Sequence, residues 1–166
     1  MHVLCCSAAG EGNTAGFLQS PKGIGLGYER LCSERVYNAY FIYADIWPVL
    51  TGEASVPGLK IDISHCEMYH LADLDEKTFD FIGGGGFSAG YIQDIGARVP
   101  GICPAVLGKA GFRLSYDRGY IIELSWQAEL GLSITRHAPA GNLVSSLYKA
   151  GLQRAWMPQI KRLYRL

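Results

Sequence analysis

Four histidines (His2, His65, His70, His137) and five cysteines (Cys5, Cys6, Cys32, Cys66, Cys103) are the side chains best able to do chemistry in this 166-residue sequence. Ser64-His65, with Glu67 close by, offers the residue types of a hydrolytic nucleophile, base and supporting carboxylate. Neighbours on a strand point to opposite faces, so Ser64 and His65 cannot form a nucleophile–base pair in regular β geometry. His65 and His70 read better as polar residues at an interface. The cysteines show no C-x2-C spacing for a metal. Their odd number leaves at least one without an intrachain partner, and Cys5 and Cys6 would face opposite sides of a strand. Structural thiols are the simpler reading, and His2-Val3-Leu4 matches a lipoprotein cleavage box poorly. Gly83-Gly84-Gly85-Gly86 lacks the Lys-Ser/Thr and following helix of a phosphate loop. Glycines here let a sheet bend or admit a bulky neighbour. Asp73-Leu74-Asp75-Glu76 is acidic but has no calcium-loop spacing and reads as a solvated turn. No catalytic, cofactor-binding or metal-binding residue is expected, no cofactor, and no enzyme.

The elements that would position these residues are strands. From Tyr120 to Thr135 the sequence alternates: Tyr120, Ile122, Leu124, Trp126, Ala128, Leu130, Leu132 and Ile134 on one face; Ile121, Glu123, Ser125, Gln127, Glu129, Gly131, Ser133 and Thr135 on the other. Val106 to Tyr116 repeats the pattern, with Phe112 and Leu114 on the apolar face and Lys109 and Arg113 opposite. Asp117-Arg118-Gly119 between them reads as a tight turn, with Gly119 free to take positive φ. Shorter alternations lie at Ile24–Glu29, Tyr40–Ile46, Leu59–Ser64 and Phe79–Gln93. A first strand over about His2–Gly10 and a last over about Tyr148–Leu166 bring the expected number to eight. Leu143 to Met157 could also be drawn as an amphipathic helix ended by Pro158; the strand reading is preferred, with Pro158 needing a bulge or a locally open ladder. Short polar connections are expected near Cys32–Arg35, Ala72–Lys77 and Asp117–Gly119. Longer ones are expected near Glu11–Lys22, Pro48–Gly58, Asp94–Pro104 and His137–Ser146.

The strands are long, and no apolar run reaches the 18 residues of a membrane helix. A closed barrel is then the only way this chain could span a lipid bilayer, because lipid cannot satisfy open backbone groups. Periodicity does not say which face is outside. Tyr and Trp toward strand ends suit interfacial girdles, and the expected arrangement puts the apolar face in lipid. Ile122, Leu124, Trp126, Leu130, Leu132, Phe112 and Leu114 would face lipid; Glu29, Asp45, Lys60, Asp62, Lys109, Arg113, Glu123 and Glu129 would fill the lumen as ion pairs. Lys109 and Arg113 would meet some of Glu123, Glu129, Asp45 and Asp62, plugging the barrel. Net charge is zero, with 15 basic and 15 acidic residues, which argues against a nucleic-acid partner. The expectation is one domain over 1–166: an all-β, eight-stranded, antiparallel up-and-down transmembrane barrel. Its partners would be membrane lipid or lipopolysaccharide, and other outer-membrane proteins. Met1-His2-Val3-Leu4-Cys5-Cys6 does not read as a signal peptide, so the chain is expected to be the mature part of an exported protein.

The pattern resembles the small outer-membrane barrels of the OmpX, OmpA-barrel and PagL type, and more narrowly outer-membrane barrel proteins of Bacteroidota. The resemblance covers most of the chain. It is carried by Gly23-Ile24-Gly25-Leu26-Gly27-Tyr28-Glu29, Ala44-Asp45-Ile46-Trp47-Pro48, Ser55-Val56-Pro57-Gly58-Leu59-Lys60, Gly83 to Tyr91, Pro158-Gln159-Ile160-Lys161 and the terminal Tyr164-Arg165-Leu166. Such barrels commonly end in Phe, where this chain has Leu166. The resemblance implies an outer-membrane location and a structural or interaction role, such as an accessory subunit of a larger complex. A lipid A deacylase of the PagL kind would need a His-x-Ser-Asn motif, and none of the four histidines begins His-x-Ser. The alternatives are that lipid-modifying enzyme and a soluble, lipocalin-like ligand-binding barrel.

Overall fold

Residues 12–21, 23–50, 58–94, 99–137 and 147–166 are described in the computed structural model. Eight strands run β1 (Asn13–Ser20), β2 (Gly23–Ser33), β3 (Val36–Asp45), β4 (Gly58–Leu74), β5 (Lys77–Asp94), β6 (Val99–Tyr116), β7 (Tyr120–His137) and β8 (Leu147–Arg165), with one short helix, α1 (Trp47–Leu50). Each strand pairs antiparallel with the next, and β8 returns to β1, closing an all-β up-and-down barrel.

The register sets the barrel's dimensions. From Gly16 the ladders run through Gly27, Phe41, Asp62, Ser88, Ala105 and Gly131 to Gln153, whereas β8 meets Gly16 at Leu163. The offset on closure is 163 − 153 = 10 residues. At about 3.3 Å per residue and about 4.8 Å between strands, eight strands so staggered tilt by about 40° around a backbone radius of about 8 Å. That leaves room for side chains and no open channel.

Three short turns lie at one end, between β2 and β3, β4 and β5, and β6 and β7. We call this the turn end. Gly119 takes φ +82° in the last of these turns, and its N–H donates to Tyr116 O at 2.9 Å. The opposite, loop end carries the connections 21–22, 46–57, 95–98 and 138–146.

The sequence reading needs correction at two of these places. Glu11–Lys22 is not a long loop: β1 occupies most of it, with Thr14 and Leu18 buried and Phe17 exposed. The Gly23 N–H donates to Ser20 Oγ at 3.2 Å and closes a tight connection. The expected strand His2–Gly10 lies outside the described residues. Asp94–Pro104 is not a long loop either, because β6 starts at Val99 and pairs with β5 through Asp94. Its prolines disguise the strand. Pro104 pairs with Ala89 on β5, while the ladder to β7 passes from Ile102↔Ile134 to Ala105↔Gly131 without a pair at Cys103 or Pro104. A proline has no N–H to give that ladder.

Of the stretch Leu143 to Met157, ambiguous between helix and strand, residues 147–157 are part of β8 and 143–146 lie outside the described residues. Pro158 lies beyond Gln19↔Ile160, the last β1–β8 pair toward the loop end, so its missing donor falls on a stretch paired only with β7 among the described residues.

Candidate functional site: a charged lumen inside an apolar wall

The strand alternation sends one residue in two into the barrel, and the inward set combines charged and amide side chains with apolar ones such as Leu18, Ile82, Ile121 and Leu163. Glu29, Asp62, Lys109, Arg113, Glu123, Gln127, Gln159 and Lys161 are buried. The outward set is apolar and exposed, including Phe17 (61%), Leu26 (60%) and Phe87 (69%). A water-soluble barrel has the reverse arrangement. On β7 the exposed or half-exposed wall runs Ile122, Leu124, Trp126, Ala128, Leu130, Leu132. From Ile122 to Leu132 it covers ten residue steps, about 25 Å along the barrel axis at the tilt above, the height of a lipid-facing band. Phe112 is exposed on the same wall and Leu114 half-exposed. At the turn end this wall finishes in aromatic rings in contact: Phe79 stacks on Phe112 at 5.5 Å, and Tyr120 sits 5.8 Å from Tyr116 and 5.1 Å from Tyr164.

The lumen charges form two networks. In the first, Glu123 is the hub. Its Oε1 pairs with Lys109 Nζ and lies 3.3 Å from Lys161 Nζ, and its Oε2 lies 2.7 Å from Arg113 Nη2. Tyr37, reaching across from β3, donates its hydroxyl to Glu123 Oε2 at 3.1 Å. Glu29 pairs with Arg113 and, at 2.8 Å, with Lys161. Two rings complete the cage: Arg113 stacks over Tyr37 and Lys161 over Phe41, each 4.1 Å from the ring centroid. Phe41 can sit there because its β2 partner is Gly27, where a Cβ would lie 2.4 Å from Phe41 Cγ. Multiple charge-assisted bonds of this kind are what offset the desolvation of buried ions.

The second network lies toward the loop end. Lys60 pairs with Glu129, and Gln127 Nε2 donates to Asp62 Oδ2 at 2.8 Å and Glu129 Oε1 at 2.7 Å. The first network holds three cations and two carboxylates, the second one cation and two carboxylates, so together they balance at four of each sign. Lys60 and Glu129 keep slight solvent access. Lys60→Met is expected to cost roughly 1 kcal/mol, between exposed and fully buried pairs, read as a small drop in the urea midpoint of the folded barrel in detergent.

Of the charges singled out from sequence, Glu29, Lys109, Arg113 and Glu123 meet in the first network and Lys60, Asp62 and Glu129 in the second. Asp45 ends β3, paired with Gly23 and Gly58, but its side chain lies outside the described residues. Lys109 and Arg113 both meet Glu123; Arg113 also takes Glu29, a partner not anticipated. Sequence reasoning missed Lys161, Tyr37 and Gln159. The signal for Lys161 was blurred because β8 mixes polarity on both faces: Leu163 is buried inside while Arg162 is exposed outside.

The other candidate groups are dispersed. Ser64 is buried in the lumen and His65 is exposed on the outer wall, its Nδ1 2.7 Å from Asn38 Oδ1. His70 Nδ1 lies 3.1 Å from Asp80 Oδ1. Gly83–Gly86 are inside β5; Gly84 and Gly86 pack on β4, where added Cβ atoms would meet Cys66 and Ser64. Asp75 occupies the β4–β5 turn at φ 51°. Cys66 and Cys103 are buried, and Cys32 is disulfide-bonded. His2, Cys5 and Cys6 lie outside the described residues.

No protein-family model matches the chain, and no curated protein sequence matches it.

Proposed function

We propose that this chain is an integral outer-membrane β-barrel with a structural or interaction role, its lumen plugged by charged side chains. The observation that carries the reading is the inversion of polarity: ion networks inside, half-exposed Leu, Ile, Phe and Trp outside. Exposed apolar area on this scale in water would drive association. In lipid it is the favourable surface, and the closed ladder leaves few backbone groups to satisfy. The disulfide at Cys32 suits an oxidising compartment. Within this reading the chain is a small barrel of the OmpX type, as in Bacteroidota, serving as an accessory subunit beside other outer-membrane proteins. The apolar wall packs on lipid, lipopolysaccharide or a neighbouring barrel. No catalytic step is part of the proposal, since Ser64 and His65 occupy opposite faces.

The test is membrane extraction of the expressed chain followed by gel migration with and without boiling. The expected result is retention in the carbonate-washed membrane fraction, a compact unboiled band that shifts on heating, and no stepwise conductance in planar bilayers. A monodisperse protein in detergent-free buffer would overturn the membrane reading; stable conductance steps would overturn the plug.

A further inference from the structure

The barrel wall does not end evenly at the turn end. β3 stops at Val36, opposite Glu67, and just past that pair the Met68 N–H donates to Arg35 O at 2.7 Å. β4 runs on to Leu74, paired with β5 down to Leu74↔Lys77, and β6 backs β5 down to Lys77↔Tyr116. Residues 69–74 thus have β5 on one side and no strand on the other among the described residues. They project about 15 Å past the end of β3 at the tilt above. Ladder rows climb toward the loop end from β1 to β8, since the row from Gly16 reaches β8 at Gln153 and not at Leu163. Followed back from β7 to β4, a row drops about 3 Å per strand, which sets Leu74 about 9 Å beyond Tyr120 and its aromatic neighbours. Open backbone groups can stand at that level because it is past the aromatic end of the wall.

The edge has what pairing requires. Met68 turns its N–H toward β3, and strand alternation gives His70 the same direction. The bulge, at which β5 passes over Leu71, moves the next backbone group on the open side to Asp73. No Pro or Lys blunts residues 69–74, and Tyr69, Leu71 and Leu74 are exposed along them. Charge selects the partner. Glu67, Asp73, Asp75, Glu76 and Asp80 surround the edge, and Lys77 is the only Lys or Arg from Glu67 to Asp80. Lys77 lies over the Tyr116 ring at 4.9 Å, and His70 lies 3.1 Å from Asp80 and 3.5 Å from Asp73. Two copies paired edge to edge would bring these carboxylates together, which is destabilising. A strand carrying lysine or arginine gains from the same charges.

We propose that residues 69–74 of β4 are a docking edge for an extended, basic segment of a partner protein, which adds as a strand beside β4 beyond the apolar wall. The proposal rests on the interaction role proposed above and names its surface and the chemistry of its partner. The probe is the capped peptide Lys-Val-Lys-Val-Lys-Val-Lys, with Glu-Val-Glu-Val-Glu-Val-Glu as control. Each is added to the whole chain in zwitterionic micelles and followed by NMR amide exchange. The lysine peptide is expected to slow exchange saturably at the His70 and Asp73 amides, and the glutamate peptide to leave both unchanged. Asp73→Lys combined with Glu76→Lys is expected to weaken binding of the lysine peptide about tenfold. Both side chains are exposed, and a compact unboiled band checks that the variant is folded. Fast exchange at these amides at every concentration of the lysine peptide overturns the proposal, and so does equal protection by the two peptides. Protection without any peptide also overturns it. Protection lost on dilution would mean pairing between copies, and protection that persists would mean cover by the chain's own residues. Loss of the heat-shifted band in the parent, with peptide protection retained, sinks the membrane reading and leaves the docking edge standing.

Discussion

Glu123→Gln is expected to be the most damaging conservative change in the protein, lowering stability by about 3–5 kcal/mol, the cost of removing one partner of a buried ion network. Glu123 is 0% exposed, contacts all three cations of its network, and accepts from Tyr37 and Ser125. The amide keeps the shape and loses the charge. Lys109, Arg113 and Lys161 would then share one carboxylate, Glu29, and the three positive charges would repel in a space that water cannot fully enter. The measurement is the urea midpoint of the compact, unboiled band in detergent micelles. The same experiment separates lost shape from lost charge. Adding Lys109→Met to Glu123→Gln removes one surplus cation and is expected to recover much of the loss, a coupling that independent sites would not show. A Glu123→Gln midpoint indistinguishable from the parent would mean that the network does not hold the barrel.

The second large effect belongs to the outer wall. Leu124 is 41% exposed and is paired with Phe112 on β6 and Ile160 on β8, inside the apolar band. Leu124→Arg is expected to cost about 1–2 kcal/mol when the barrel is folded in lipid vesicles, because Leu124 lies between the middle of the band, where a cation costs about 2–4 kcal/mol, and the turn-end interface, where it costs about 0–1. On a half-exposed surface in water the same substitution would fall within about 0.5 kcal/mol of neutral. Urea titration of vesicle-folded protein distinguishes the two, and a neutral result would remove the bilayer from the account. Arg162, already exposed on the same wall of β8, does not contradict this: it lies near the turn end, two residues from Tyr164, where a long side chain can reach the interface.

Much of the fold was legible because its signal is local. A strand alternates every two residues, so the runs around Leu124 and Phe112 announced themselves, and Asp117-Arg118-Gly119 marked its own turn. The signal failed where local chemistry pointed elsewhere. The Asn, Thr and Gly of β1 resemble loop residues, and the prolines of β6 resemble breakers. Both strands exist because neighbours on each side supply the ladder, a benefit no single segment displays. The candidate site was partly legible for the same reason. The inward charges of β6 and β7 share one clean alternating hairpin, whereas Lys161 lies in a strand whose two faces differ little in polarity.

By itself, then, the sequence determined the period of the strands and, on β6 and β7, the segregation of charge to one face. It did not determine which face is inside, because a two-residue period is unchanged when a sheet is curled the other way. Nor did it determine which charges meet. That depends on eight ladders whose offsets sum to ten residues on closure, bringing Tyr37 of β3 across to Glu123 of β7 and Glu29 of β2 to Lys161 of β8. Closure is a property of the whole ring, so its consequences exist only in the tertiary structure.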